Sequence, residues 1–236
     1  MEYMLTQSNL DKWIIPFEDI TITVPKASIC QEHPRPKLTP AHCEIHHNSS
    51  MRDKLFWCFY IIVEGLDQYE LAKEKIFKYE NDFKYKSVYK IKEKPSELKK
   101  LKLKSSELES DLVTTKTISV SVLHALAIAY NKSIIYMNDR LYYDFCYGDD
   151  YFLIEKKNGD IFLHTGDVKD KINIIKETLF CVDNTKSKLI NSVSFYTVKD
   201  LHNIADRLNI EKMIGDKPLT KALLYTEIVI KIGKLT

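Results

Sequence analysis

One stretch dominates the pattern of apolar and polar positions. Arg52 and Asp53 are followed, after Lys54, by nine uncharged and mostly large residues from Leu55 to Val63, and Glu64-Gly65 closes the run. A segment apolar all round must be buried on every side. It is far shorter than the roughly 20 residues of a membrane span. The pattern predicts a central buried helix over 51–64, opened by the capping-box-like pair Ser50 and Asp53 and ended at Gly65. Cys58 lies in its middle.

Residues 117–130 predict a second apolar helix capped by Ser119 or Ser121, with His124 as a hydrogen-bonded core histidine. Short apolar runs follow at 133–137 and 141–145, joined by Asn138-Asp139-Arg140. Two more, at 151–155 and 161–164, flank Asn158-Gly159, a strong two-residue hairpin signal. Together they predict an antiparallel sheet packed on the two buried helices. A further helix, or a helix-strand pair, is expected over 168–184 through Ile172, Ile174, Ile175 and Leu179.

The segments around these are more polar. Ile20-Thr21-Ile22-Thr23-Val24 alternates as a short strand, and residues 25–50, with four prolines, read as an extended arm. Residues 69–111 are lysine-rich, with Lys84-Tyr85-Lys86 and Lys90-Ile91-Lys92 among them. Leu98, Leu101, Leu108 and Leu112 can share a face, so the stretch reads as the solvated face of long helices. The alternative is a basic surface, interleaved with tyrosines, that holds a phosphate backbone. After a polar linker at 184–194, Thr197 and Asp200 form a capping box ahead of Leu201, Ile204, Ala205 and Leu208. A turn through Gly215-Asp216-Lys217-Pro218 leads to a second helix capped by Thr220.

Composition narrows this only slightly. The 236 residues are 44% hydrophobic with a formal net charge of +2, which fits a packed fold and gives bulk charge no claim on nucleic acid. Five scattered cysteines, with neither a secretory leader nor a membrane segment in view, predict a reduced intracellular protein. Cys30, His33, His42, Cys43, His46 and His47 offer zinc-type donors, but their spacing fits no usual finger pattern. The arm is therefore expected to be polar surface, with no metal and no cofactor.

The order of elements, and the segment Asp53-Lys54-Leu55-Phe56-Trp57-Cys58, resemble the papain-like superfamily and most nearly its ovarian-tumour-type cysteine peptidases. Segments of this kind also resemble uncharacterised proteins of large eukaryotic DNA viruses. The resemblance covers about residues 50–165. It implies an α+β, ovarian-tumour-like domain with a central buried helix and an antiparallel sheet. It also implies Cys58 as the nucleophile, His164 as its base and Asp167 as the orienting group, with Asp160 and Asn158 as alternatives. Such a triad cleaves peptide or isopeptide bonds of a polypeptide or ubiquitin-like substrate. One departure is plain: when Leu55-Phe56 is matched to the family's Leu-Phe, Lys54 takes the nucleophile position and Cys58 lies four residues further on.

The tail, through Tyr196-Thr197-Val198-Lys199-Asp200-Leu201 and Leu219-Thr220-Lys221-Ala222-Leu223-Leu224, resembles SAP-type helix-extension-helix modules. That resemblance implies DNA contact by Lys212, Lys217, Thr220 and Lys221. The expected organisation is an arm at 1–50, a peptidase-like domain at 51–183 and the module at 195–236. Two functions stand open. One is a deubiquitinase-like viral enzyme. The other is a catalytically silent, virion-associated protein in the host cytoplasm or virion, binding DNA or other virion proteins through the tail and touching no membrane.

Overall fold

The structure is a computed structural model, described here for residues 42–43, 52–183, 189–214 and 217–235. The expected strand at 20–24, the arm and the zinc-type donors lie outside the described residues, except for the backbone of His42–Cys43. Residues 39–236 form one compact unit.

The central helix, α1 (Lys54–Glu64), forms where the apolar run predicts it. Its cap is Asp53, whose carboxylate accepts the Phe56 N–H at 3.0 Å. Gly65, at φ 89°, ends it. The same Asp53 carboxylate accepts the Ile118 N–H at 2.7 Å, so one buried group ties the head of α1 to the segment before the second apolar helix. Burial pushes the Asp53 carboxyl above its ordinary range, and the two N–H donors and nearby Lys84 pull it back only in part.

The lysine-rich excursion is helical: α2 (Leu66–Ala72), α3 (Ile76–Lys92), α4 (Pro95–Lys100) and α5 (Ser105–Thr114). Phe83 of α3 joins it to the core, with its ring 5.7 Å from Phe56, 5.0 Å from Tyr60 and 5.5 Å from Tyr130. Leu98 of α4 and Leu108 and Leu112 of α5 are buried, and Leu101 is half-buried. The chain breaks between the two helices, with Lys102 at φ 57°, so the four do not share one helical face as expected. The second apolar helix, α6 (Val120–Ala129), is capped by Ser119. Its His124 is buried, stacked on Phe145 and in hydrogen-bond contact with the Tyr147 hydroxyl at 2.6 Å.

The sheet holds β1 (His42–Cys43), β2 (Ser133–Asn138), β3 (Leu141–Phe145), β4 (Tyr151–Lys157), β5 (Asp160–His164) and β6 (Phe180–Cys181) in the order β1-β5-β4-β2-β3-β6. Both expected hairpins are present, and Asn158 and Gly159 take the positive φ values that their turn demands. The expectation of an antiparallel sheet needs correction. β2 pairs β4 in parallel and β3 pairs β6 in parallel, so the sheet is mixed and the fold is α+β.

The reason lies in the loop after β3, which passes back beneath the start of β2 and delivers β4 to β2's other side. Ser133 pins that loop: its hydroxyl donates to the Gly148 carbonyl at 2.7 Å and accepts the N–H groups of Tyr147 and Gly148, both at 2.9 Å. A Cβ at Gly148 would stand 2.3 Å from the Asn131 carbonyl oxygen, so the crossing admits only glycine.

Helices α1, α3 and α6 share one core with the sheet face carrying Ile134, Tyr136, Tyr143, Phe145, Ile154 and Leu163. The opposite face, through Ile135, Tyr142 and Leu153, packs a single helix, α7 (Lys169–Thr178), by Ile172 and Ile175. The tail comprises α8 (Val198–Leu208), the short hairpin of β7 (Met213–Ile214) and β8 (Lys217–Pro218), and α9 (Lys221–Leu235). Its two helices pack on each other and continue the core of the larger domain. Leu201, Ala205, Leu208, Leu224, Ile228 and Ile232 are buried in the same cluster as α1. Arg207 donates to the Leu179 carbonyl at the end of α7 at 3.0 Å, and Asn138 donates to the Leu235 carbonyl at 2.5 Å.

Two substitutions test this framework. Asp53→Ala removes a cap and leaves the Ile118 N–H buried without an acceptor, an expected loss of about 2–3 kcal/mol in urea unfolding. Gly148→Ala should cost a further, independent amount of about 2–3 kcal/mol through the backbone clash at Asn131.

Candidate functional site

Cys58 points from α1 into the core. It is fully buried and shares its cluster with Ile134, Tyr136, Ile154 and Leu163 of the sheet. The Tyr136 hydroxyl reports the same enclosure: burial first, then neighbouring Tyr143 and Cys58, push it up to about 12.

His164 occupies the other side of the sheet. It lies opposite Leu153 in the β4–β5 register, and Leu153 faces α7. The imidazole is buried. Its Nε2 is 2.8 Å from the Glu155 carboxylate, and its Nδ1 is 3.2 Å from the Lys171 ammonium. An ammonium only donates, so Nδ1 accepts and Nε2 carries the proton given to Glu155. A strand's side chains alternate between faces, so the sheet itself separates this imidazole from the Cys58 thiol.

The expected triad is thus corrected in each member's placement. Cys58 is core, packed where no substrate carbonyl reaches it. His164 is held by Glu155 and Lys171. Asp167 is exposed, and its carboxylate accepts the Lys169 N–H at 3.1 Å, opening α7 rather than orienting a histidine. Of the alternatives, Asp160 is in ion-pair contact with Lys54, and Asn158 is a turn residue. Sequence reasoning missed Glu155 and Lys171. A signal for Glu155 was present: the two-residue turn fixes 153 opposite 164, which puts residue 155 diagonally beside His164 on the same face.

In the tail, the four residues expected to meet DNA surround the turn into α9. Lys217 and Thr220 are exposed, and Lys221 and Lys212 are half-buried. The Lys212 ammonium pairs with Asp206 at 2.5 Å. Thr220 caps α9, its hydroxyl accepting the Leu223 N–H at 3.4 Å. Lys221 lies close enough to Asp200 to add to the lowering of that carboxyl, which comes first from its hydrogen bonds with Thr197 and then from Lys199. Lys217 has no ion pair among the described residues.

A cleft of about 510 Å³ opens between the β6 edge and α8, with Phe180, Cys181, Phe195, Tyr196 and Arg207 in its walls. Arg207 is committed to the α7 carbonyls. Burial pushes the Cys181 thiol above its ordinary range, only partly offset by the Tyr142 hydroxyl, so this thiol is a poor nucleophile as well. Among the described residues no cluster of His, Cys, Asp and Glu is placed to hold a metal ion, and no helix is long and apolar enough to cross a membrane. No family model, curated protein or solved structure matches the chain.

A thiol-directed alkylating reagent gives a direct check. Cys146 and Cys181 are exposed and should be modified in the native protein, Cys181 the more slowly because its thiol is pushed up, whereas Cys58 should react only after denaturation. His164→Ala should leave that pattern unchanged. Peptide mapping by mass spectrometry reads both results.

Proposed function

We propose that the protein works by binding rather than by catalysis. On this reading the α+β core is a catalytically silent, peptidase-like scaffold, and the C-terminal helices are its contact with DNA in the host cytoplasm or the virion. One observation carries the first half: the sheet stands between the expected thiol–imidazole pair, Cys58 and His164. A general base must come within hydrogen-bond reach of its nucleophile, directly or through one water. Loop movement does not bring that about across a hydrogen-bonded sheet.

What supports the second half is the turn into α9. Lys217 is solvent-facing, and the adjacent helix N-terminus offers backbone N–H donors of the kind that hold phosphate. The acidic residues Asp200 and Asp206 beside Lys221 and Lys212 keep the local field modest, so binding should be weak, with a salt dependence set by the few phosphates that the lysines meet.

Two measurements on the full chain test this. A ubiquitin-like probe with a C-terminal electrophile should form no adduct with the native protein, and a His164-dependent adduct at Cys58 would overturn the reading. Fluorescence anisotropy with duplex DNA, titrated from about 50 to 200 mM salt, should show affinity falling with salt. The double variant Lys217→Ala/Lys221→Ala should flatten the log–log slope by about 2. An unchanged slope and affinity would remove the tail from DNA contact.

A further inference from the structure

We infer that the outward face of α3 binds single-stranded nucleic acid, by stacking bases on Tyr85 and Tyr89 and pairing phosphates with the lysines around them. The charge of the chain is unevenly placed. Residues 73–104 carry twelve lysines against five acidic residues, while the whole chain has a formal net charge of only +2, so the remainder is net negative. Helix α3 runs through the middle of this stretch. Its inner face is fixed to the core by Phe83, Ser87 and Ile91. Along its outer face Lys78, Asp82, Tyr85, Tyr89 and Lys92 follow at spacings of three and four, which makes one stripe.

The two tyrosines are 58% and 69% exposed, and among the described residues neither ring stacks on another. They stand one helical turn apart, about 6 Å along the axis, and Lys78 and Lys92 lie about 20 Å from each other. Lys86 and Lys92 are in surface ion pairs with Glu64 and Glu109 at 2.9 and 3.1 Å. Such exposed pairs contribute little to stability, so both ammonium groups can be exchanged onto phosphate. Lys75 and Lys78 have no ion pair among the described residues.

Exposed aromatic faces spaced within a cationic stripe are the features that take up an unpaired strand, because every base offers a π-face. A duplex hides those faces and shows only its edges and backbone. A membrane surface is a poorer match. A helix lying in lipid needs a continuous apolar face free, and that face of α3 is spent on the core. This leaves Phe77 as a single exposed apolar residue at its start, while Asp82 and Glu93 stand among the outward lysines. This face lies on a different element from the tail, and its binding does not depend on the tail contacting DNA.

The test is anisotropy of the full chain with a fluorescent oligothymidylate, beside a duplex of equal length and anionic phosphatidylserine vesicles. Tyr85→Ala/Tyr89→Ala should lower affinity for the single strand about ten- to a hundredfold and change duplex binding little. Lys78→Ala/Lys86→Ala/Lys92→Ala should flatten the salt dependence by about 2 in log–log slope. Lys217→Ala/Lys221→Ala should leave single-strand binding intact, which separates this face from the tail. All these side chains are surface-exposed or nearly so, and unchanged melting temperatures would confirm that the variants fold. Single-strand affinity within twofold of wild type in both α3 variants would overturn the inference. So would tyrosine-dependent binding to vesicles without binding to the oligonucleotide.

Discussion

The need to enclose α1 on all sides governs the rest of the described fold. Its apolar run gives no polar stripe to solvent, so the helix has to be floored by a sheet and walled by α3 and α6. Phe56, Trp57, Cys58 and Phe59 reach full burial in that enclosure, and each large side chain so buried contributes about 1.5–3 kcal/mol. A helix that satisfies this constraint gives up access. The resemblance to thiol peptidases implies a thiol at an open helix end, where the dipole and an imidazolium favour the thiolate. Here the open end is occupied by Asp53, and the thiol lies a turn deeper, against Tyr136.

Much of this was legible in the chain, and the parts that were not share a cause. The Asn158-Gly159 hairpin, the Thr197–Asp200 capping box and the Ser119 cap are local devices, in which neighbouring residues determine the geometry. The parallel pairing of β2 with β4 is not local. It depends on Gly148 meeting a carbonyl at Asn131 and on Ser133 reaching fifteen residues along the chain, neither of which has a periodic signature. The second acceptor role of Asp53, toward Ile118, spans 65 residues and was equally out of reach of pattern reading. The candidate histidine was recognisable as a buried strand residue. Its side of the sheet followed only once the hairpin register was joined to the packing of α7.

The tail shows how a segment readable as a separate module can be part of the main core. Its sequence has its own caps, its own turn and an amphipathic face, which are the marks of a unit that folds by itself. That face is nevertheless buried against the large domain. Arg207 neutralises the carbonyl end of α7, where a cation is favoured by the helix dipole, and Asn138 holds the last turn of α9. Docking of this kind leaves the tail's outer surface for partners and fixes its orientation. A binding surface presented on a rigid base loses less entropy on association than one on a tethered hairpin.

Cys58 is enclosed on every side. It lies between Trp57 and Phe59 in sequence and near Tyr136 in space, all three of them buried. The Trp57 indole N–H nearby is itself buried without a hydrogen-bond partner, a deficit of about 1–3 kcal/mol that the surrounding aromatic burial outweighs. A core that tolerates one unsatisfied donor for the sake of volume is selecting for shape at this point. A buried cysteine among aromatic side chains fills its site as a small, polarizable apolar group.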